Sequence, residues 1–158
     1  MKTKLKGSFW CALTIFSLMG QIAWVVENMY FNVFIYKMFS ATAADISNMV
    51  AASAVTATVT TIFMGALSDK IGKRKLFICG GYILWGISIL SFIFLREDLI
   101  SKTLGLTVSA MTVGVSLTII LDCVMTFFGS TANDACFNAW LTDSTEEGGR
   151  GAAEGINA

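Results

Sequence analysis

Three carboxylates interrupt stretches that are otherwise apolar: Glu27, Asp122 and Asp134. The chain has no histidine, and Cys11, Cys79, Cys123 and Cys136 show no C-x-x-C spacing. No zinc or other metal site is therefore predicted, and the cysteines read as small buried hydrophobes. The chemistry open to the three acids is a proton relay or the ligation of a cation. An ionised carboxylate deep in hydrocarbon costs about 2.5–3.5 kcal/mol on insertion scales, so each acid must face a water-filled cavity, find a partner or carry a proton. Asp134 is bracketed by apolar residues. Glu27 and Asp122 also have a plainer reading, in which each marks the outer end of an apolar run. Gln21 and Asn28 add polarity near Glu27. Trp24, Tyr30, Trp85 and Trp140 suit either stacking on a sugar or an interfacial belt. A second concentration of charge lies in "GALSDKIGKRK", Gly65 to Lys75, directly after a long apolar run.

The elements that carry these residues follow from composition. Of 158 residues, 55% are hydrophobic and 14% charged, against about a quarter charged in globular domains. Mean hydropathy is +0.70. Twelve Phe and four Trp exceed what a small soluble core would bury. The bilayer is the natural solvent, and a formal net charge of zero gives no reason to expect nucleic acid. The Lys-rich start resembles a signal peptide, but its apolar run continues past the roughly 15 residues of a signal h-region. A retained first membrane helix is the better reading. With about 20 apolar residues needed per crossing, the runs between charges predict four spans, at about 8–37, 46–68, 76–95 and 108–141. The long unalternating runs exclude barrel strands. Residues 103–142 read as one pass, because no turn cluster occurs near Asp122.

Eight of the 11 cations (Lys2, Lys4, Lys6, Lys70, Lys73, Arg74, Lys75 and Arg150) fall on one side of these spans, and Lys37, Arg96 and Lys102 on the other. The positive-inside rule then predicts a cytoplasmic N-terminus in a multi-pass protein of the cell inner (plasma) membrane. Ser53, Ala57, Thr61 and Gly65 recur at four-residue spacing on the second span, a face that lets a neighbour approach closely. Thr56, Thr58, Thr60 and Thr61 can bond their own helix backbone. In the loop, Gly65 is expected to permit tight packing, Gly72 to reverse the chain at positive φ, and Asp69 to sit among cations and free helix-end amides.

"GALSDKIGKRK" resembles the loop signature between helices 2 and 3 of the major facilitator superfamily, G-x-L-[S/A]-D-[K/R]-x-G-[K/R]-[K/R]. Gly65, Leu67, Asp69, Lys70, Gly72, Lys73 and Arg74 match it, and the loop follows two predicted spans. "DSTEEGGRGAAEG", from Asp143, resembles the superfamily's link from helix 4 into helix 5. "NDACFNAWLTDST", from Asn133, resembles the end of helix 4 in glycoside–pentoside–hexuronide:cation symporters of the melibiose-permease type, through Asp134, Phe137 and Trp140, although no Pro follows the acid.

The resemblance implies an all-α polytopic membrane protein whose four helices correspond to the first part of a 12-helix major facilitator fold. It implies a secondary transporter rather than an enzyme, without cofactor. Its partners would be the lipid bilayer, a small solute such as a sugar and a coupling cation, H+ or Na+. Asp143 and Arg150 would join Asp69, Lys73 and Arg74 in a cytoplasmic charge cluster, the gating loop Gly65, Asp69, Lys70, Gly72, Lys73 and Arg74 acting as its latch. Glu27, Asp122 and Asp134 would be the substrate or ion-coupling candidates. Residues 142–158 would be a cytoplasmic loop and the start of a fifth helix. Gly151 to Ala158 makes only about 12 Å of helix, short of a ~30 Å core. The expectation is thus a partial bundle, loosely packed and frayed at its C-terminus, that lacks a C-terminal half and does not transport alone. A small four-helix accessory or assembly protein is the alternative.

Overall fold

The computed structural model describes residues 7–104 and 110–157. Among these residues all the regular structure is helical. Four helices are long and apolar enough to cross a membrane: α1 (Gly7–Phe39), α2 (Ala43–Ile71), α3 (Arg74–Phe94) and α5 (Met111–Ser144). Two shorter helices complete the order, α4 (Glu97–Leu104) between α3 and α5, and α6 (Glu147–Asn157) at the end. The predicted start of the fourth span at 108 lies outside the described residues, as do Lys2, Lys4, Lys6 and Ala158.

The crossings run on because nothing stops them. The chain has no proline, and only short polar turns break the ladder. Thr42 caps α2 in a capping box: its hydroxyl accepts from the Asp45 amide, and the Asp45 carboxylate accepts from the Thr42 amide at 2.8 Å. At the other end Gly72 adopts φ 68°, the left-handed region that a side chain resists, and its amide donates to Ser68 O at 2.9 Å. Only Gly72 and Lys73 separate α2 from α3, so the pair is a tight antiparallel hairpin. α1 has 33 residues, about 50 Å of helix, longer than the ~30 Å hydrocarbon core. Such a helix tilts or projects beyond it.

α5 is the hub. It packs against α1, α2 and α3, and between Ser130 and Phe137 its backbone widens into a π-helix. Small residues make this wide segment compatible with close neighbours. A methyl group placed on Gly81 of α3 would lie 2.7 Å from the Ala132 Cβ, and one on Gly20 of α1 would overlap the Asn133 side chain. Phe31, Ile35 and Phe39 of α1, Met49 of α2, Trp85 and Phe92 of α3 and Met125 of α5 fill the interior on the α4 side.

Several expectations are corrected. The bundle is not loose: Gly81 and Gly20 hold α3 and α1 in direct contact with α5. Nor does the helix Glu147–Asn157 stand free of the bundle. α6 lies against α1, with Ala153 buried beside Leu13, Phe137 and Leu141. The Asn157 side chain accepts from Ser17 and donates to Asn138, each at 2.9 Å. Amphipathic α4, with Ile100 buried, stands in a region where no element was predicted. Cys136 is buried, but Cys11 and Cys79 are exposed on the outside of the bundle. In a membrane helix an apolar stretch faces lipid as readily as protein. Finally, Gly65 does not serve close packing among the described residues: a methyl group built there meets nothing within 4 Å.

Candidate functional site

Two regions gather the charged and polar side chains. The first is the end of the bundle formed by the α2–α3 turn and the C-terminus of α5, termed the basic end. Arg74, the first residue of α3, reaches between two acids. Its guanidinium donates to Asp69 Oδ1 at 2.5 Å and pairs with Asp143 Oδ2 from the last turn of α5. The two carboxylates are well exposed, at 59% and 63%, whereas Arg74 is 20% exposed. An Arg at the N-terminus of a helix opposes the helix dipole, and the two acids offset this. Gly72, Lys73, Lys75 and Trp140 complete an open cleft of about 580 Å³ around the pair.

Of the predicted charge cluster, Asp69, Arg74 and Asp143 come together. Arg150 does not join them. Its guanidinium turns back to the carbonyls of Thr142 and Thr145, at 3.1 and 3.4 Å, and satisfies the C-terminal carbonyls of α5. Among the described residues Lys70 and Lys73 form no ion pair, although Lys73 lines the cleft.

The second region lies in the middle of the bundle. Glu27, on α1, is 6% exposed, and Asp122, on α5, is 4% exposed. Neither marks the end of a span, since α1 continues to Phe39 and α5 begins at least a full helical turn before Asp122. Thr126 donates to Glu27 Oε1 at 3.1 Å, and Ser53 of α2 donates to Asp122 Oδ2. Ser53, on the small-residue face of α2, is thus turned to α5. Both acids line one cavity of about 150 Å³, together with Trp24, Asn28, Asn32, Ser53, Ala57 and Thr126. Thr56 and Thr58 bond their own helix, to the carbonyls of Ala52 and Ala54.

Asp134 is not among the residues that line this cavity. It lies in the π-helical segment, half-buried, and accepts from the Asn133 amide at 3.2 Å. Asn133 in turn accepts from the Tyr82 hydroxyl of α3 at 2.9 Å. Of the four aromatics singled out above, Trp24 lines the cavity, and Trp85 is buried at 2% exposure against Trp24 and Gly129. Trp140 stacks on Phe137 near the basic end, and Tyr30 is exposed on the outside.

Ser53, Thr126, Ser130, Asn133 and Tyr82 were not predicted as site residues. A signal for some of them was present. Asp122, Thr126, Ser130 and Asp134 recur every four residues, one stripe of an α-helix. Such a stripe drifts by about 40° per step at 3.6 residues per turn. The wider i→i+5 winding of the π-helix opposes that drift over its last step.

Four crossings, a tight basic hairpin and two buried acids lining one open cavity between crossings define a polytopic membrane protein. The profile of the Major Facilitator Superfamily matches residues 8–158. The chain belongs to this superfamily, and it is a transporter of the major facilitator type. No curated protein and no solved structure matches it.

Proposed function

We propose that this chain forms the cation-coupling bundle of a carrier that moves a small solute, such as a sugar, together with a proton or a sodium ion by alternating access. One observation carries the reading: Glu27 and Asp122, from two different crossings, face one cavity, and no Lys or Arg accompanies them. The middles of all four crossings, residues 7–36, 46–69, 76–95 and 111–144, contain no cation at all. Two buried carboxylates without a counter-charge are expensive, and a cation that arrives with the solute relieves that cost. Trp24 at the cavity wall suits the apolar face of a sugar ring. The resemblance of "NDACFNAWLTDST" to the melibiose-permease type supports the same solute class.

The Lys/Arg distribution supports a cytoplasmic basic end in the inner membrane. On that orientation the Asp69–Arg74–Asp143 bridge is a latch, closed in the conformation described. A second helical bundle, supplied by further sequence or by a partner chain, would provide the opposite wall of the solute site.

The test is uptake by the complete carrier in liposomes, with a panel of sugars under imposed proton or sodium gradients. Accumulation driven by one of the gradients, and lost in Asp122→Asn, is expected. Accumulation by Asp122→Asn equal to the parent's would remove the acid pair from coupling.

A further inference from the structure

A set of side-chain hydrogen bonds connects α6 to the π-helical segment of α5. Ser17 of α1 donates to Asn157 Oδ1 at 2.9 Å, and Gln21 donates to the Asn157 carbonyl at 3.2 Å. Asn157 Nδ2 donates to Asn138 Oδ1 at 2.9 Å, and Asn138 Nδ2 donates to the main-chain carbonyl of Asp134 at 3.1 Å. From the side of α3, Tyr82 donates to Asn133 Oδ1 at 2.9 Å, and Asn133 Nδ2 donates to Asp134 Oδ1 at 3.2 Å. Asp134 is thus held through its side chain by α3 and through its carbonyl by α6.

The bond to that carbonyl is made where the winding changes. Asn138 is the first residue after the π-helix Ser130–Phe137. In an α-helix its main-chain N–H would donate to the carbonyl four residues back, that of Asp134. Here that N–H donates to Ala135 O, and the side-chain amide of the same residue takes its place at Asp134. The bond from Asn157 fixes which way the amide points: with Oδ1 engaged by α6, Nδ2 faces the carbonyl. A side chain that competes for a helix carbonyl in this manner opposes regular winding.

We infer that docked α6 holds α5 in its π winding, through Asn157 and Asn138, and that its departure returns the segment to α winding. A stretch bonded i→i+5 takes in about one residue more than an α-helix of the same span. The return therefore turns one side of the segment by about 100°, one residue's share of a 3.6-residue turn. Ala132 and Asn133 sit tightly against Gly81 and Gly20, so the turn falls on the far side, in Asn138–Ser144. There Phe137 and Leu141 pack against Leu13 and against Ala153, and Ala153 leaves with α6. The turn carries Trp140 away from Phe9 of α1 and Asp143 away from Arg74. Docking of α6 and closure of the basic end then form one switch. The winding itself does not depend on transport; only its use as a latch release rests on the carrier reading above.

The experiment is fluorine NMR of the complete carrier in nanodiscs, labelled with fluorotryptophan. Trp140→Phe assigns the Trp140 signal, and Trp24 and Trp85 serve as internal references. Asn138→Asp, ionised at neutral pH, still accepts from Asn157 but cannot donate to the Asp134 carbonyl. The Trp140 signal should move or split in two, while those of Trp24 and Trp85 stay. Hydrogen exchange over residues 149–153 should remain slow in this variant, reporting a docked α6. Asn157→Leu should speed that exchange and displace Trp140 in the same direction. In a chain lacking Ala135 the surplus residue is gone, and Asn157→Leu should then leave Trp140 in place. A Trp140 signal unmoved by Asn138→Asp overturns the switch. So does a full response to Asn157→Leu in the chain lacking Ala135, since undocking would then reach Trp140 without any change of winding. If Trp140 responds as expected and solute uptake is unaltered, the winding switch stands and the latch reading fails. Slowed uptake in Asn138→Asp with Trp140 unmoved does the reverse.

Discussion

The basic end and the middle of the bundle use the same side chain, a carboxylate, in opposite ways. At the basic end Asp69 and Asp143 stand largely in the open with Arg74 between them. Ion pairs of that exposure are worth about 0–1 kcal/mol each. They are easily made and easily broken, which suits a contact that has to open and close. In the middle, Glu27 and Asp122 are almost wholly buried and accept from the hydroxyls of Thr126 and Ser53. Removing a charge from water with no counter-charge costs several kcal/mol. The first region thus carries its own counter-ion, and the second has none among the described residues. A weak bond fits a moving part, and an uncompensated charge fits a binding part.

That contrast is open to direct attack, beginning where the largest effect is expected. Asp122→Asn or Glu27→Gln should abolish coupled accumulation, lowering it by roughly 100-fold, while the protein still inserts and remains folded; vesicle uptake beside a thermal-unfolding scan separates the two. Asp134→Asn should reduce accumulation far more than it reduces solute exchange, since exchange requires no net movement of the cation. Equal losses in the two assays would make Asp134 a structural residue of the π-helix. Gly81→Leu should destabilise the bundle by about 1–3 kcal/mol, because the added side chain has to displace the Ala132 backbone; denaturation in detergent measures this.

At the basic end effects should be smaller in energy. Asp69→Asn should change unfolding by no more than about 1 kcal/mol and yet slow transport several-fold, a kinetic defect visible in initial rates. If rates are unchanged, Asp69 is only a topological charge. Least of all is expected from Gly65→Ala. A methyl group there meets nothing within 4 Å among the described residues, and replacing a helical glycine gains up to about 1 kcal/mol. A large loss of transport in Gly65→Ala would show that another bundle presses on that face.

Much of this was legible in the residues. Four apolar runs bounded by charge became four crossings, because hydrocarbon leaves a backbone few options besides helix. Gly72 was recognisable as the reversal point, since its position between Asp69 and the cations left one residue able to take positive φ. The acids were recognisable as anomalies. Their grouping was less so: Asp134 drew attention from its apolar flanks, yet the cavity belongs to Glu27 and Asp122. Flanking sequence reports depth in the membrane but not rotation about the helix axis. Rotation is decided by which neighbour each face meets, and here by a π-helical segment that no local signal announces. The same limit explains Arg150. Its sign and its side of the membrane were readable, but carbonyls left free at the end of α5 captured it before any distant acid could.

The docking of α6 on α1 carries a consequence in time. Ser17 and Asn157 are bonded across a separation of 140 residues, so this contact cannot form until synthesis has passed Asn157. At about 5–20 residues per second of synthesis, the polar notch of α1 at Ser17 and Gln21 waits roughly 7–30 s in the membrane before Asn157 arrives to fill it. During that interval α1 is an incomplete surface, available to whatever else can offer it an amide. The order of synthesis thus leaves the polar notch of α1 open until α6 has been made.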